Sequence, residues 1–217
     1  GINVYRTPAL RGQPDICYTH EMVSYVLGAF PKTLQLVREK KYDVIHSHFI
    51  IPTGLLAWVM SKISGIPFIV TAHGSDVPGY NPDRFGLAHK IMRPGWDFLV
   101  RHTDLIVSPS ESLKQLIQTH HPEKPIETIP NGISLQHFKV VPKQKSILMC
   151  SRMLPRKGFQ YAIEAVKDLG LDWQVNIIGE GPYLDELKKM AANSSTPIKF
   201  WGWLDKNDSQ FRDLYQT

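Results

Sequence analysis

The stretch SILMCSRMLPRKGFQYAIEAV, residues 146–166, decides how the rest of the chain is read. Its apolar run, Ser146 to Ser151, has the character of a buried strand, and Gly158 to Leu169 carries the spacing of a helix. A strand followed within a few residues by a helix is the repeating unit of a parallel α/β sheet. Between the two lie Arg152, Arg156 and Lys157. Three cations in so short a turn are either solvated loop charges or the holders of an anion.

The same alternation runs outward in both directions. Upstream, YDVIHSHF, IPFIVTAHG, TDLIVSPS and IETIPNG read as strands. Between them, Thr53 to Ser64, Phe85 to His102 and SESLKQLIQTH read as helices. Ser110 is placed to cap the last of these, and Pro94-Gly95 to break or kink the second. Downstream, strands are expected at Trp173–Ile178 and Ile198–Phe200, with a helix at Tyr183–Ala192. The strands are continuous apolar runs, which suits parallel strands covered by helices on both faces. FKVVPKQK, residues 138–145, reads as a linker. The expected organisation is therefore two Rossmann-like, doubly wound α/β domains, 1–142 and 143–217.

Bulk properties narrow the function. The chain has 217 residues and a net charge of +5, which permits an anionic partner without choosing one. The cations are dispersed and not interleaved with aromatics on one stripe, so nucleic acid is not expected. No apolar run reaches the roughly 18 residues that cross a bilayer. Residues 1–20 lack the apolar core of a secretion signal. Cys17 and Cys150 sit on unrelated segments and suggest neither a disulfide nor a metal site. A cytoplasmic protein is expected. The chain opens in what reads as a strand, GINVYRTP, and closes in what reads as the start of a helix, SQFRDLYQT, as a piece of a longer protein would.

In open α/β sheets ligands sit beyond the C-terminal ends of the strands. Polar, small and cationic residues gather there: His73-Gly74-Ser75-Asp76, Asn131-Gly132, Arg152 to Gly158, and Gly179-Glu180-Gly181-Pro182. Arg152 can give two parallel hydrogen bonds to a phosphate. Lys157 stands just before a helix N-terminus, which itself favours an anion. Arg156 is expected in solvent. Gly179 and Gly181 form half of a dinucleotide fingerprint, but Leu184 occupies the third glycine's place, so a nicotinamide or flavin site is weakly supported. His73 either reaches a cleft or is a packed histidine. His46 and His48 are taken to face opposite sides of their strand and to make a poor metal pair. His120 and His121 are expected at the carbonyls that end their helix. Trp201 and Trp203 are expected in the core. No set of residues has metal-ligand spacing.

Together these segments resemble glycosyltransferase family 4 (glycosyl transferases group 1), a large retaining family with the GT-B fold. TAHGSDV resembles its histidine loop. ETIPNGISLQHF resembles its I-P-N-G segment, with Ser134 where Asp is common. SRMLPRKGF resembles its Arg-x-x-x-x-Lys-Gly motif, and IIGEGPYLDEL followed by KFWGWL its G-x-G-P and F-x-G segments. The match covers roughly residues 43–215, in family order.

The resemblance implies two Rossmann-like domains facing a cleft, both incomplete here. It implies transfer of a hexose from a nucleotide diphosphate sugar to an acceptor hydroxyl, with retention, and with no metal or other cofactor. Arg152 and Lys157 would hold the donor diphosphate, His73 would contact the transferred sugar, and Gly179, Glu180 and Gly181 would border the nucleotide. Gly74, Asn131 and Gly132 would shape the cleft. The acceptor would be a sugar or a lipid-linked group, with peripheral contact to the inner membrane face. Phe85 to His102, carrying Trp96, Phe98 and Leu99, reads first as a helix packed on the sheet and second as the surface for such contact. The family's N-terminal glycine-rich loop and its late pair of glutamates are not in this sequence, so this piece alone is expected to be inactive. Two alternatives share the architecture: a two-domain ligand-binding protein, and a GT-B phosphorylase or epimerase.

Overall fold

The structure, a computed structural model, describes residues 2–12, 18–134 and 138–217. Cys17 and Leu135–His137 of the I-P-N-G segment therefore lie outside the described residues. The chain divides into two compact units, Gly1–Gly132 and Ile133–Thr217.

The first unit holds α1 (Thr19–Glu39), β1 (Ile45–His48), α2 (Thr53–Ser64), β2 (Phe68–Thr71), α3 (Pro82–His102), β3 (Leu105–Ser108), α4 (Glu111–Gln118) and β4 (Ile126–Thr128). All strand pairs are parallel and their order follows the chain, β1-β2-β3-β4. The central strands β2 and β3 are short apolar runs because both faces are covered, whereas β1 reads Ile-His-Ser-His; Phe68, Val70, Ile106 and Ile126 are buried against Trp96, Leu99, Val100, Leu113 and Ile117 of α3 and α4.

The second unit holds β5 (Ser146–Cys150), α5 (Phe159–Val166), β6 (Gln174–Ile178), α6 (Leu184–Ala191), β7 (Ile198–Gly202) and α7 (Ser209–Gln216). Its three strands are parallel in the order β5-β6-β7. Met153, Phe159, Ile163, Val175, Ile177 and Leu187 form its core. Each unit is thus a parallel sheet wrapped by crossover helices, the Rossmann-like α/β class expected from the alternation.

Several expectations change. Residues 2–10 form no strand; Ile2 and Val4 are 93% and 78% exposed and join no ladder. The 21-residue α1 that follows was not foreseen, because Pro31 interrupts its pattern. Its Ala29 packs on Leu56 and Met60 of α2. α3 runs unbroken through Pro94. A helix-interior proline costs about 3 kcal/mol, whereas burying each of Trp96, Leu99 and Val100 returns about 2 kcal/mol, so packing wins.

The same burial removes Trp96 and Leu99, 2% and 3% exposed, from any membrane-facing surface. His120 and His121 do end α4 at one of its carbonyls, since both backbone amides donate to that of Ile117, but their rings turn to α3. Nε2 of His121 meets the Asp97 carboxylate at 2.8 Å, and both rings pack on Trp96 of α3.

The compact units part between Gly132 and Ile133, upstream of the boundary expected at residue 142. The reason is hydrogen bonding. The Lys139 amide donates to Gln216 Oε1 and the Phe138 ring packs on Tyr215, and Lys143 Nζ and the Gln144 amide donate to the Gln216 and Thr217 carbonyls, which ties the basic linker to the end of α7.

One polar residue stands inside the second sheet. Asn176 of β6 is 4% exposed. Its amide donates to Ser146 Oγ at 3.0 Å and its carbonyl accepts from Trp201 Nε1 at 2.9 Å, so it links all three strands. Trp201 is also the residue that a bulge inserts: Ile177 pairs with Phe200, but Ile178 pairs with Gly202. Trp203, beyond the bulge, is 65% exposed and not in the core. Replacing Asn176 by Ala leaves two donors and acceptors unmatched. The second unit should lose about 2 kcal/mol, measured by urea denaturation; a loss below about 0.5 kcal/mol, the surface-substitution range, would contradict the network.

Candidate functional site

The polar residues of each unit collect at the C-terminal ends of its parallel strands, where the backbone leaves the sheet. In the second unit, the turns after β5 and β6 clasp one another. The Ser151 amide donates to the Ile178 carbonyl at 3.2 Å, and the Met153 amide to the Glu180 carbonyl at 2.8 Å. The Gly179 amide donates to the Gly202 carbonyl at 2.7 Å, which adds the end of β7. This contact has no room for a side chain. A Cβ on Gly179 would lie 2.0 Å from the Ser151 carbonyl oxygen, and one on Gly181 2.4 Å from that of Met153. Both glycines also have positive φ, 134° and 152°.

Arg152 is therefore presented between two fixed points, the Ser151 amide and the fully buried Met153 side chain. Its guanidinium is exposed. Lys157 does not begin the helix. It closes a 3-10 turn, Pro155–Lys157, and Gly158 in the left-handed region (φ 78°) then caps α5. The result is still a cation placed directly ahead of a helix N-terminus. Arg156 is exposed, as expected. Glu180 is exposed, and its Oε1 lies 3.4 Å from the Trp203 amide.

In the first unit, the loop after β2 carries His73 and Gly74. Asp76 organises it. One carboxylate oxygen accepts from the His73 amide at 2.8 Å and the other from the Ile50 amide at 2.7 Å, which staples the ends of β1 and β2 together. Asp76 is 5% exposed. Burial pushes its carboxyl above the usual range, against the pull of the backbone donors. Gly74, with φ 94°, lies under the Tyr80 ring; a Cβ there would be 2.8 Å from it.

His46 and His48 share one face of β1, contrary to expectation, because residues two apart in a strand point the same way. Their rings stack at 4.8 Å, and His48 stacks on His73 at 5.2 Å. They border a cavity of about 690 Å³ between β1, α1 and α2 that Tyr5, Lys40 and Thr53 also line. Asn131 and Gly132 are exposed in the irregular segment after β4. Among the described residues no group of three or more His, Cys, Asp or Glu is placed to hold a metal ion.

Residues 7–137 match the family described as Glycosyltransferase Family 4, and residues 134–216 match Glycosyl transferases group 1. The chain belongs to glycosyltransferase family 4. It is 27% identical over 195 residues to the alpha-monoglucosyldiacylglycerol synthase of Streptococcus pneumoniae, covering 78% of this chain and 43% of that protein. It is 24% identical over 199 residues to the UDP-Gal:alpha-D-GlcNAc-diphosphoundecaprenol alpha-1,3-galactosyltransferase of Escherichia coli, covering 80% and 50%. The chain thus spans about half the length of the curated relatives it matches. Among solved structures it resembles the lipopolysaccharide outer core galactosyltransferase WaaB in its apo form. The TM-score is 0.55 at 17% identity, over 88% of this chain and 52% of that one, which supports the GT-B fold.

Within this family 4 chain, the sequence located Arg152, Lys157, Gly179, Glu180 and Gly181 on adjoining strand ends. It missed Asp76 and His48. An acid three residues after His73 is a loop-stapling signal, and the i, i+2 spacing of His46 and His48 was the signal for a shared face. Asp76→Ala should cost the first unit about 2–4 kcal/mol, since two amides lose their acceptor. The sign of its pH dependence follows from the raised value in the folded state. The Asp76 contribution is complete below the unfolded value of about 3.9 and is lost as pH rises through the folded one. The destabilisation, read by urea denaturation, should therefore be larger at pH 5 than at pH 8.

Proposed function

We propose that the protein to which this chain belongs is a retaining glycosyltransferase that moves a hexose from a nucleotide diphosphate sugar to an acceptor hydroxyl without a metal. One observation carries the reading: the turn bearing Arg152 and Lys157 is clasped against Gly179 and Gly181 at the mouth of a parallel sheet. Arg152 gives the fork that matches a phosphate. Lys157 adds a point charge beside the free N–H groups of α5. Together they stabilise the negative charge that builds on a departing diphosphate, the task a divalent cation performs elsewhere. Gly179, Glu180 and Gly181 border the nucleotide, and His73 meets the transferred sugar.

The acceptor is a sugar or a lipid-linked group, in keeping with the diacylglycerol and diphosphoundecaprenol in the names of the two relatives. A cytoplasmic protein with peripheral contact to the inner membrane face fits such acceptors. Among the described residues no helix is long and apolar enough to cross a membrane. Leu87 and Ile91 of α3 are 75% and 71% exposed beside Lys90, and they take the place of the buried Trp96 and Leu99 as the surface for that contact. The 217-residue chain binds the diphosphate but does not turn it over.

Titration calorimetry with UDP and GDP tests the reading. Binding should persist in EDTA, weaken about tenfold or more in Arg152→Ala and in Lys157→Ala, as loss of a charged hydrogen bond predicts, and stay unchanged in Arg156→Ala. Equal affinity in all three variants would refute it.

A further inference from the structure

His73 is held by more than its own loop. Its Nε2 lies 3.0 Å from Nδ1 of His48 in a hydrogen bond between the ends of β1 and β2. The two rings also overlap, with centroids 5.2 Å apart and planes 29° apart. Phe49 covers the His73 ring from another side at 4.6 Å. The His48 backbone is fixed in turn, because the Thr53 hydroxyl at the start of α2 donates to its carbonyl. Phe49 adopts a left-handed conformation, φ 71°, which bulky residues rarely take. It turns the chain where β1 ends, beside the imidazole pair.

We propose that His48 is a positioning residue for His73: its Nδ1 occupies Nε2 of His73, fixes the ring plane, and leaves Nδ1 of His73 as the nitrogen that meets a ligand. This rests on the reading of His73 as the contact to the transferred sugar. The logic is that of a single shared proton. When His73 Nε2 donates to His48, Nδ1 of His73 is a lone pair that accepts from a sugar hydroxyl. When His48 Nδ1 donates, Nδ1 of His73 carries the proton and donates to a hydroxyl oxygen. In both states Nε2 is unavailable. The pair can take up one further proton, on its outer nitrogens, and keep the bond. A second would put two donors face to face and break it.

His46 stacks on the far side of His48 at 4.8 Å, with its Nε2 at 2.7 Å from Thr71 Oγ1. Burial, with His48 and His73 beside it, holds the His46 imidazole below its ordinary value. Three imidazoles in one stack repel a second positive charge. Asp76 is the acid on the loop side; its carboxylate oxygens accept from the backbone amides of Ile50 and His73. Phe49 and Thr53 are uncharged. The rings meet face to face and edge to edge, so they do not converge on a point as metal ligands would.

Long-range proton–nitrogen NMR of the ring nitrogens in the 217-residue chain tests the proposal. The wild type should show His73 Nε2 and His48 Nδ1 as hydrogen-bonded partners with one proton shared between them. His48→Asn puts an amide where Nδ1 stood and should keep the His73 tautomer. His48→Ala should release it, with both neutral tautomers of His73 populated. A wild-type spectrum with unlinked rings overturns the proposal whether or not the variants fold. So does a His48→Asn spectrum that matches His48→Ala. Neither result touches diphosphate binding at Arg152, and failure of that binding would refute the transferase reading while leaving this spectrum unchanged.

Discussion

The second unit depends on one close approach, that of the backbone at Gly179 and Gly181 to the backbone at Ser151 and Met153. Sheets position side chains well only while the chain is paired. Beyond the last ladder bond the backbone is free to wander, and that is where this fold needs a charge held still. The clasp extends pairing past the strands by two further amide–carbonyl bonds, from Ser151 to Ile178 and from Met153 to Glu180. It is possible only where no side chain stands between the two turns. The glycines thus serve the protein's own backbone first. The role proposed for Arg152 draws on that, because a rigid root lowers the entropy lost when a long side chain is ordered on a ligand.

The first unit reaches the same end with a carboxylate. Asp76 does across β1 and β2 what the glycine clasp does across β5 and β6: it holds two strand ends together through main-chain donors. Its burial is costly, and two amide hydrogen bonds offset that cost. The loop so held carries His73, and the strand beside it carries His48. Both units therefore gather polar residues at the sheet mouth; within the second sheet, buried Asn176 is satisfied by its bonds to Ser146 and Trp201.

Much of this was legible in the sequence. Continuous apolar runs announced parallel strands, and the order of four short motifs announced family 4. What stayed hidden depended on contacts between distant segments. The α1 pattern was masked by Pro31, and its helical state is secured by packing on α2. The bulge at Trp201 exists because Gly202 takes a left-handed conformation (φ 71°), and it moved Trp203 from the expected core to the surface. The His120 and His121 amides end α4 at the Ile117 carbonyl, as expected, but their rings turned toward α3, a choice that local sequence does not encode. The basic linker joined the second unit because its amides found α7, seventy residues away in sequence terms. The pairing of His46 with His48 was readable from strand period alone.

The central claim is that main-chain contact, as much as positive charge, makes the Arg152 turn a diphosphate site. Nucleoside diphosphate titration of Gly181→Ala tests it most directly, because that variant keeps every cation and disturbs only the clasp. In protein whose circular dichroism shows a folded chain, the account predicts a loss of affinity comparable to that of removing Arg152 itself. Affinity equal to wild type would show that the cations bind without the clasp, and would contradict the account.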